Sequence, residues 1–392
     1  MRTIPAAYRS FSVLTQRGIV LILAGIAAAV ASGNAGAFET AAREAILVDF
    51  STGTVLLEKN ADRPVPPASM SKLMTTYMVF ERLKQGTIKL DDTMLISEKA
   101  WRMGGSKMFV EVGKQATVED LLRGIIVQSG NDACIVVAEA LAGSEEAFAE
   151  MMTARATEIG LTNSAFANAT GWPADGHYMS ARDLALLTRR TIVEFPDYFP
   201  YFAEKSFTYN DIRQGNRNPL LYKELGADGM KTGHTKAAGY GLTATALRNG
   251  RRLILMIGGL ESARQRAAEA TRLLNHGFRE FDNYTLFTTG EVVETADVWL
   301  GERARVPLVI NRNVIVTLAR ANRGDLQVKA VMDSPIPAPI AAGAPLGRLE
   351  INAPDMATIT MPLVAGQAVG SLGVFRRLAA AVSYLLFGPA AD

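Results

Sequence analysis

The spacing of apolar positions along the chain changes period several times, and each change predicts a different element. Ala45–Phe50 is a strand-like run, Ser51-Thr52-Gly53 turns it, and Thr54–Leu57 returns as a second strand. Pro64, Pro66 and Pro67 then forbid regular structure. From Ser69 to Gln85 the apolar residues Met70, Leu73, Met74, Tyr77, Phe80 and Leu83 recur at helical spacing, and Gly86 closes the run. The stretch from Asp91 to Gly160 reads as mostly helical, including Val118–Val127 and Asp132–Ala142. Asn168–Gly176 is a loop rich in Gly and Pro, and Ser180–Thr191 is a further helix. Beyond Asp228 strands return. Lys231–Thr235 is short and β-like, Tyr240–Leu247 and Arg251–Ile257 flank the hairpin signal Asn249-Gly250, and Ala267–Gly277 makes a helix.

Near Tyr284 helical spacing disappears. Val306–Ile310, Val314–Leu318, Leu326–Met332 and Ala357–Leu363 are short alternating runs between turn residues, as in a small all-β domain. The two ends differ again. Arg17 precedes an apolar run, Gly18–Ala31, and then Ala35-Gly36-Ala37, the pattern of a cleavable signal peptide with Phe38 as first mature residue. That run is shorter than the roughly 20 residues needed to span a bilayer. At the C-terminus Leu372, Phe375, Ala379, Val382 and Leu386 fall on one helical stripe beside Arg376 and Arg377, as in an amphipathic helix lying on a membrane surface. The expected organisation is therefore a signal peptide at 1–37, a catalytic domain at 38–284, a β-domain at 285–369 and a surface helix at 370–392.

Composition narrows the class. With 48% hydrophobic residues most of the chain must fold. A net charge of +2 leaves no electrostatic footprint for nucleic acid. The first 37 residues hold three arginines and no acid, so 38 basic and 39 acidic residues remain without them. The single cysteine, Cys134, excludes an internal disulfide framework and reads as a packing residue. His177 and His276 read as structural, and three histidines without acidic ligand spacing give no metal site or cofactor.

Three short words carry chemistry: Ser69-Met70-Ser71-Lys72, Ser129-Gly130-Asn131 and Lys231-Thr232-Gly233. Three residues apart on a helix, Ser69 and Lys72 share a face. A serine hydroxyl needs a neighbouring base to become nucleophilic, and lysine is a base only when neutral. Bringing its pKa from roughly 10.4 to near 7 costs about 4 kcal/mol, supplied by burial and by a second cation, for which Lys231 is the candidate. The helix start also directs backbone N–H groups at the serine, which suits an oxyanion hole. Gly233, on a strand before a hairpin, would let a substrate backbone come close.

These words, in this order, are the motif set of penicillin-binding proteins and serine β-lactamases. The chain resembles the low-molecular-mass penicillin-binding proteins of class C type, which are serine-type D-alanyl-D-alanine carboxypeptidases. Pro67–Met74, Ser129–Ala133 and Asp228–Thr235 are similar to that family's three motif segments. The resemblance implies an α/β (α+β) catalytic domain with an antiparallel sheet and a helical lobe, followed by a small all-β domain. It implies that Ser69 attacks the carbonyl between two terminal D-alanines of a peptidoglycan stem peptide, with Lys72 as general base and Ser129 relaying a proton to the leaving amine. By the same resemblance Asn131 holds the substrate amide, Lys231 and Thr232 meet the terminal carboxylate, and backbone N–H groups of Ser69 and His234 form the oxyanion hole. Arg266 is either a second carboxylate contact or a solvated helix arginine. β-Lactams would be covalent inhibitors, and the protein would sit in the periplasm, held to the inner-membrane surface by its last helix. Where some relatives carry histidine, this chain has Thr170. Two other readings compete: a class A-like β-lactamase, against which stands the lack of an E-x-x-L-N word between Asn131 and Lys231, and a non-catalytic wall-binding scaffold, against which stands the intact Ser–Lys pair.

Overall fold

In the computed structural model the described residues are 38–376, 378, 379 and 382. The expected signal peptide and most of the expected C-terminal helix lie outside them. In chain order the catalytic part consists of β1 (Glu44–Asp49), β2 (Val55–Lys59), α1 (Lys72–Lys84), β3 (Thr93–Leu95), α2 (Glu98–Arg102), β4 (Gln115–Thr117), α3 (Val118–Arg123), α4 (Asn131–Ala142), α5 (Glu145–Glu158), α6 (Ala181–Glu194), β5 (Ser206–Tyr209), β6 (Ile212–Gly215), β7 (Ala227–Thr235), β8 (Gly239–Arg248), β9 (Arg251–Leu260) and α7 (Ala263–Glu280).

An antiparallel sheet of order β2-β1-β9-β8-β7 forms the frame. Successive side chains of a strand face opposite sides. Ile46, Ile254 and Met256 join the core shared with α1 and the other helices of the lobe. Leu47 and Leu253 instead face α7, where Gly277 lacks the Cβ that would sit 2.7 and 2.8 Å from their methyl carbons. Both faces are covered, so Gly241–Ala246 is a continuous buried run without alternation. The predicted Asn249-Gly250 turn is present, with both residues at positive φ (50° and 79°), as a type I′ hairpin requires. Ser or Thr side chains cap α2, α3, α5, α6 and α7 by accepting a backbone N–H of the first turn.

The stretch 91–160 is mostly helical as expected, but it also holds a strand pair that its pattern did not show: β3 pairs with β4, and a long loop lies between α2 and β4. That loop is held by Asp132, a side chain remote in sequence, so local periodicity does not reveal it. The expected 284/285 boundary falls inside a strand, β10 (Phe281–Phe287), which follows α7 directly.

After β10 come β11 (Val292–Trp299), β12 (Arg305–Val309), β13 (Val314–Ala319), β14 (Gln327–Met332), β15 (Ile336–Pro337), β16 (Pro345–Asn352) and β17 (Ile359–Ala365). β10 pairs with β13, and the others form a sheet of order β14-β16-β17-β12-β11-β15. Val306, Leu308, Val316, Leu349, Ile351 and Leu363 lie in a core separate from the catalytic one. The two parts are joined by polar contacts: Thr317 Oγ1 lies 2.5 Å from Thr52 Oγ1, and Asn283 Nδ2 donates to Asp49 Oδ1 at 3.2 Å. Among the described residues no helix is long and apolar enough to cross a membrane.

Candidate active site

The proline run delivers the chain into a 3₁₀ turn, Ala68–Ser71, that leads into α1. Ser69 sits in this turn, at the wall of a cleft of about 970 Å³. Two glycines make the turn possible. Gly171, at φ 79°, faces the Ala68 carbonyl, and a Cβ there would lie 2.0 Å from the oxygen. A Cβ on Gly233 would lie 2.9 Å from the Pro67 carbonyl oxygen and 3.2 Å from Ala68 Cβ. Gly233 lines the cleft, and the side chain it lacks also leaves room for the protein's own nucleophile turn.

The Lys72 side chain is wholly buried. Its Nζ donates to Ser69 Oγ at 3.2 Å, to Asn131 Oδ1 at 2.7 Å and to the Thr170 carbonyl at 2.5 Å. Burial lowers its pKa from 10.5 to about 8, with the Arg217 guanidinium adding to the effect and the Asp132 and Glu145 carboxylates opposing it. The fall is in the direction expected from sequence. Lys231, 3% exposed, is pushed well below the ordinary lysine value, by burial first and then by the Lys72 ammonium, Arg217 and Arg266. The expected repulsion between the two lysines is therefore present, and Arg217 is a further cation that acts on both. Thr170 touches Lys72 through its carbonyl, which any residue offers, while its hydroxyl donates to Asn168.

The second word closes the other wall. Ser129 adopts left-handed backbone geometry (φ 67°), and its buried Oγ has no hydrogen-bond partner among the described residues. A strained, unpartnered hydroxyl in a cleft is poised for a ligand. Asn131 accepts from Lys72 and donates through Nδ2 to the Gly104 carbonyl at 2.8 Å, leaving its second amide hydrogen free to face the cleft. Gly130 is small for a reason: a Cβ there would lie 2.8 Å from Asp132 Oδ1. The Asp132 carboxylate accepts the backbone N–H groups of Met108, Phe109 and Val110 and thereby fixes the loop over this end of the cleft.

Thr232, Gly233 and His234 form the β7 side, with Lys231 buried behind them. The exposed His234 ring stacks on Tyr240, with centroids 3.9 Å apart. Arg266, in the first turn of α7, lines the cleft, is only 8% exposed and has its guanidinium carbon 5.7 Å from the Tyr240 ring centroid. The solvated-arginine alternative is thus excluded. Sequence reasoning missed Arg217, which lines the cleft and donates to Ser106 Oγ at 2.5 Å. It lies in no recognisable word, so no local signal pointed to it. Among the described residues no carboxylate lines the cleft, while Lys107, Arg217 and Arg266 do, which suits an anionic group.

Other singled-out residues lie apart from the chemistry. Cys134 is buried, and burial pushes its thiol up to about 12. His177 Nδ1 accepts from the Ala167 N–H, which leaves Nε2 to donate to Ser71 Oγ at 2.9 Å. Burial and the Lys72 charge hold its pKa at about 4, so the ring is neutral and structural.

Residues 29–261 match the D-alanyl-D-alanine carboxypeptidase family, peptidase S11. The chain belongs to this family. Residues 281–371 match the C-terminal domain of penicillin-binding protein 5. The chain is 39% identical over 345 residues to the D-alanyl-D-alanine carboxypeptidase DacC of Escherichia coli, covering 86% of each chain. It is 34% identical over 342 residues to DacF of Bacillus subtilis, covering 85% of this chain and 87% of that one. Among solved structures, penicillin-binding protein 5 from Haemophilus influenzae superposes with a TM-score of 0.77 at 33% identity, covering 86% of this chain and 99% of that one. The chain is accordingly a serine peptidase of the low-molecular-mass, class C penicillin-binding proteins, with the fold expected from its motifs.

Proposed function

We propose that this D-alanyl-D-alanine carboxypeptidase removes the terminal D-alanine of peptidoglycan pentapeptide stems through an acyl-enzyme on Ser69. The substrate carboxylate docks in the cationic end of the cleft on Lys231, Thr232 and Arg266. Its negative charge favours the protonated form of Lys231, and a charged Lys231 favours a neutral Lys72. Neutral Lys72 takes the Ser69 proton as Oγ bonds to the carbonyl carbon between the two D-alanines. Backbone N–H groups of Ser69 and His234 receive the developing oxyanion. Ser129 passes a proton to the leaving amine, the C–N bond breaks, and D-alanine departs. Water then adds to the ester, and Ser69 is released. A β-lactam carries a carboxylate and a strained amide in the same relation, so it acylates Ser69 as well. Among the described residues no carboxylate on the cleft wall is placed to drive hydrolysis of the penicilloyl ester, so its turnover is slow.

The observation that carries this reading is the buried Lys72 amine 3.2 Å from Ser69 Oγ. Its test is D-alanine release from a pentapeptide ending in D-Ala-D-Ala: Ser69→Ala should lower it to background, and unchanged release would remove Ser69 from the mechanism. Rapid hydrolysis of penicillin by the purified protein would favour the β-lactamase reading instead.

The same proposal puts the enzyme in the periplasm, exported by the segment before Phe38 and held at the inner-membrane surface by the segment from Gly370 onward. The apolar run Gly18–Ala31 and the Ala35-Gly36-Ala37 site support export, and a single cysteine, with no internal disulfide framework, fits a bacterial periplasm better than a small extracellular scaffold. The apolar stripe beside Arg376 and Arg377 supports attachment to anionic lipid. Sedimentation of the full chain with anionic vesicles, lost on truncation at Gly370, checks the tether.

A further inference from the structure

The loop between α5 and α6 carries an indole that the mechanism above does not use. Trp172 lines the active-site cleft and is 49% exposed, and its neighbour Pro173 lines the cleft too. A single exposed apolar side chain is ordinary on a protein surface. This one is held in place. Its N–H donates to Asn168 Oδ1 and to Thr170 Oγ1, each at 3.1 Å, and its carbonyl accepts from Asn168 Nδ2 at 2.9 Å. Asn168 Oδ1 also accepts the N–H groups of Thr170 and Gly171. Those two residues in turn reach the nucleophile turn: the Thr170 carbonyl accepts from Lys72 Nζ, and Gly171 faces the Ala68 carbonyl. One knot around Asn168 therefore ties the backbone of Trp172 to the Ser69–Lys72 pair.

The ring itself reaches the loop between α2 and β4. A Cβ on Gly105 would lie 2.9 Å from Trp172 Cζ3 and 2.7 Å from Asn131 Nδ2, so the indole edge and the Asn131 amide flank the same glycine. Further along that loop Phe109, 46% exposed, also lines the cleft. Its backbone has a left-handed φ of 70°, and its N–H donates to Asp132 Oδ2 at 2.9 Å. An exposed ring kept in a rarely adopted backbone conformation, at the wall of a cleft, is the kind of strain found where ligands bind.

We infer that the Trp172 indole is the subsite for the side chain of the residue that precedes the D-Ala-D-Ala end, and that it selects stem peptides in which this side chain is extended and largely aliphatic. The inference rests on the acyl-enzyme reading, in which the terminal carboxylate goes to Lys231, Thr232 and Arg266 while Asn131 meets the substrate amide. That amide joins the D-Ala-D-Ala end to the residue before it. Seating it on Asn131 brings that residue beside the indole, because ring and amide share Gly105. An indole offers a broad, rigid apolar face, and covering it with methylene groups removes apolar surface from water on both partners. The methylene stem of a long side chain can lie along such a face, whereas a glycine leaves it wet.

The test is D-alanine release by the full chain from two peptides that differ in one side chain, Nα,Nε-diacetyl-L-Lys-D-Ala-D-Ala and Nα-acetyl-Gly-D-Ala-D-Ala. The lysine amine is capped so that its charge does not enter. The wild type should prefer the lysine peptide by about tenfold in kcat/KM. Trp172→Ala should lower kcat/KM for the lysine peptide by about tenfold, mainly through KM, and leave the glycine peptide within about twofold. Trp172→Phe keeps a flat apolar face and should retain most of the preference. Equal rates on the two peptides in the wild type, or a preference that survives Trp172→Ala, would overturn the inference. So would equal losses on both peptides in Trp172→Ala, the result that a merely structural role gives. Release from neither peptide by the wild type would remove the acyl-enzyme reading itself, and this inference with it.

Discussion

If a neutral Lys72 activates Ser69, the rate of acylation must follow the titration of that one amine. Taking its pKa as about 8, about 9% of the molecules hold Lys72 neutral at pH 7. At the unperturbed value of 10.5 the fraction would be about 0.03%, so burial raises the reactive population by roughly 300-fold, equivalent to about 3 kcal/mol. The sign is fixed: the base is active when unprotonated, so the rate rises with pH, close to tenfold for each unit below 8, and levels off above it. The assay is the second-order rate of acylation by a fluorescent penicillin, measured by stopped flow between pH 5.5 and 9.5. Arg217→Gln removes a cation that pushes Lys72 down, so its midpoint should move to higher pH and its rate at pH 7 should fall. Lys72→Arg puts in a group that stays charged throughout this range, so the rising limb should vanish along with most of the rate. A flat profile from pH 6 to 9 in the wild type, or wild-type acylation by Lys72→Arg, would refute the reasoning.

Three other outcomes follow from the structure. Asp132→Ala leaves the N–H groups of Met108, Phe109 and Val110 without their acceptor and should destabilise the fold by on the order of 3 kcal/mol in urea unfolding, while slowing acylation. Gly171→Ala sets a Cβ 2.0 Å from the Ala68 carbonyl oxygen at a backbone angle L-residues rarely adopt, and should cost about 3 kcal/mol or more by the same measurement. Neutral His177 has a folded pKa of about 4 against 6.5 unfolded, so the unfolded state binds more protons between those values. Stability should therefore fall by up to about 3 kcal/mol as pH drops from 6.5 to 4, and this limb should flatten in His177→Gln.

Much of the site was legible because its chemistry sits in short words at element boundaries. The proline break marked the nucleophile turn, Asn249-Gly250 marked a hairpin, and the alternation after Tyr284 marked the β-domain. What local pattern cannot carry is contact between remote segments. Arg217 stands in a loop with no motif, yet it reaches Ser106 and biases both lysines. Asp132 stands in the second motif segment at the start of a predicted helix, and neither fact reveals that its carboxylate organises a loop more than 20 residues earlier in the chain. That Gly233 also makes room for Pro67 and Ala68 could not be read from sequence, because the contact joins remote segments. β16 begins with Pro345 and carries Gly347, Arg348 and Glu350, so its strand character comes from its partners β14 and β17.

The most direct test of the account is to label the protein with a radioactive penicillin, digest it and locate the adduct by mass spectrometry. The account predicts one penicilloyl group per chain, on the peptide that holds Ser69 and on the Ser69 oxygen itself. An adduct on Ser71, Ser129 or any other side chain, or full labelling of Ser69→Ala, would contradict it.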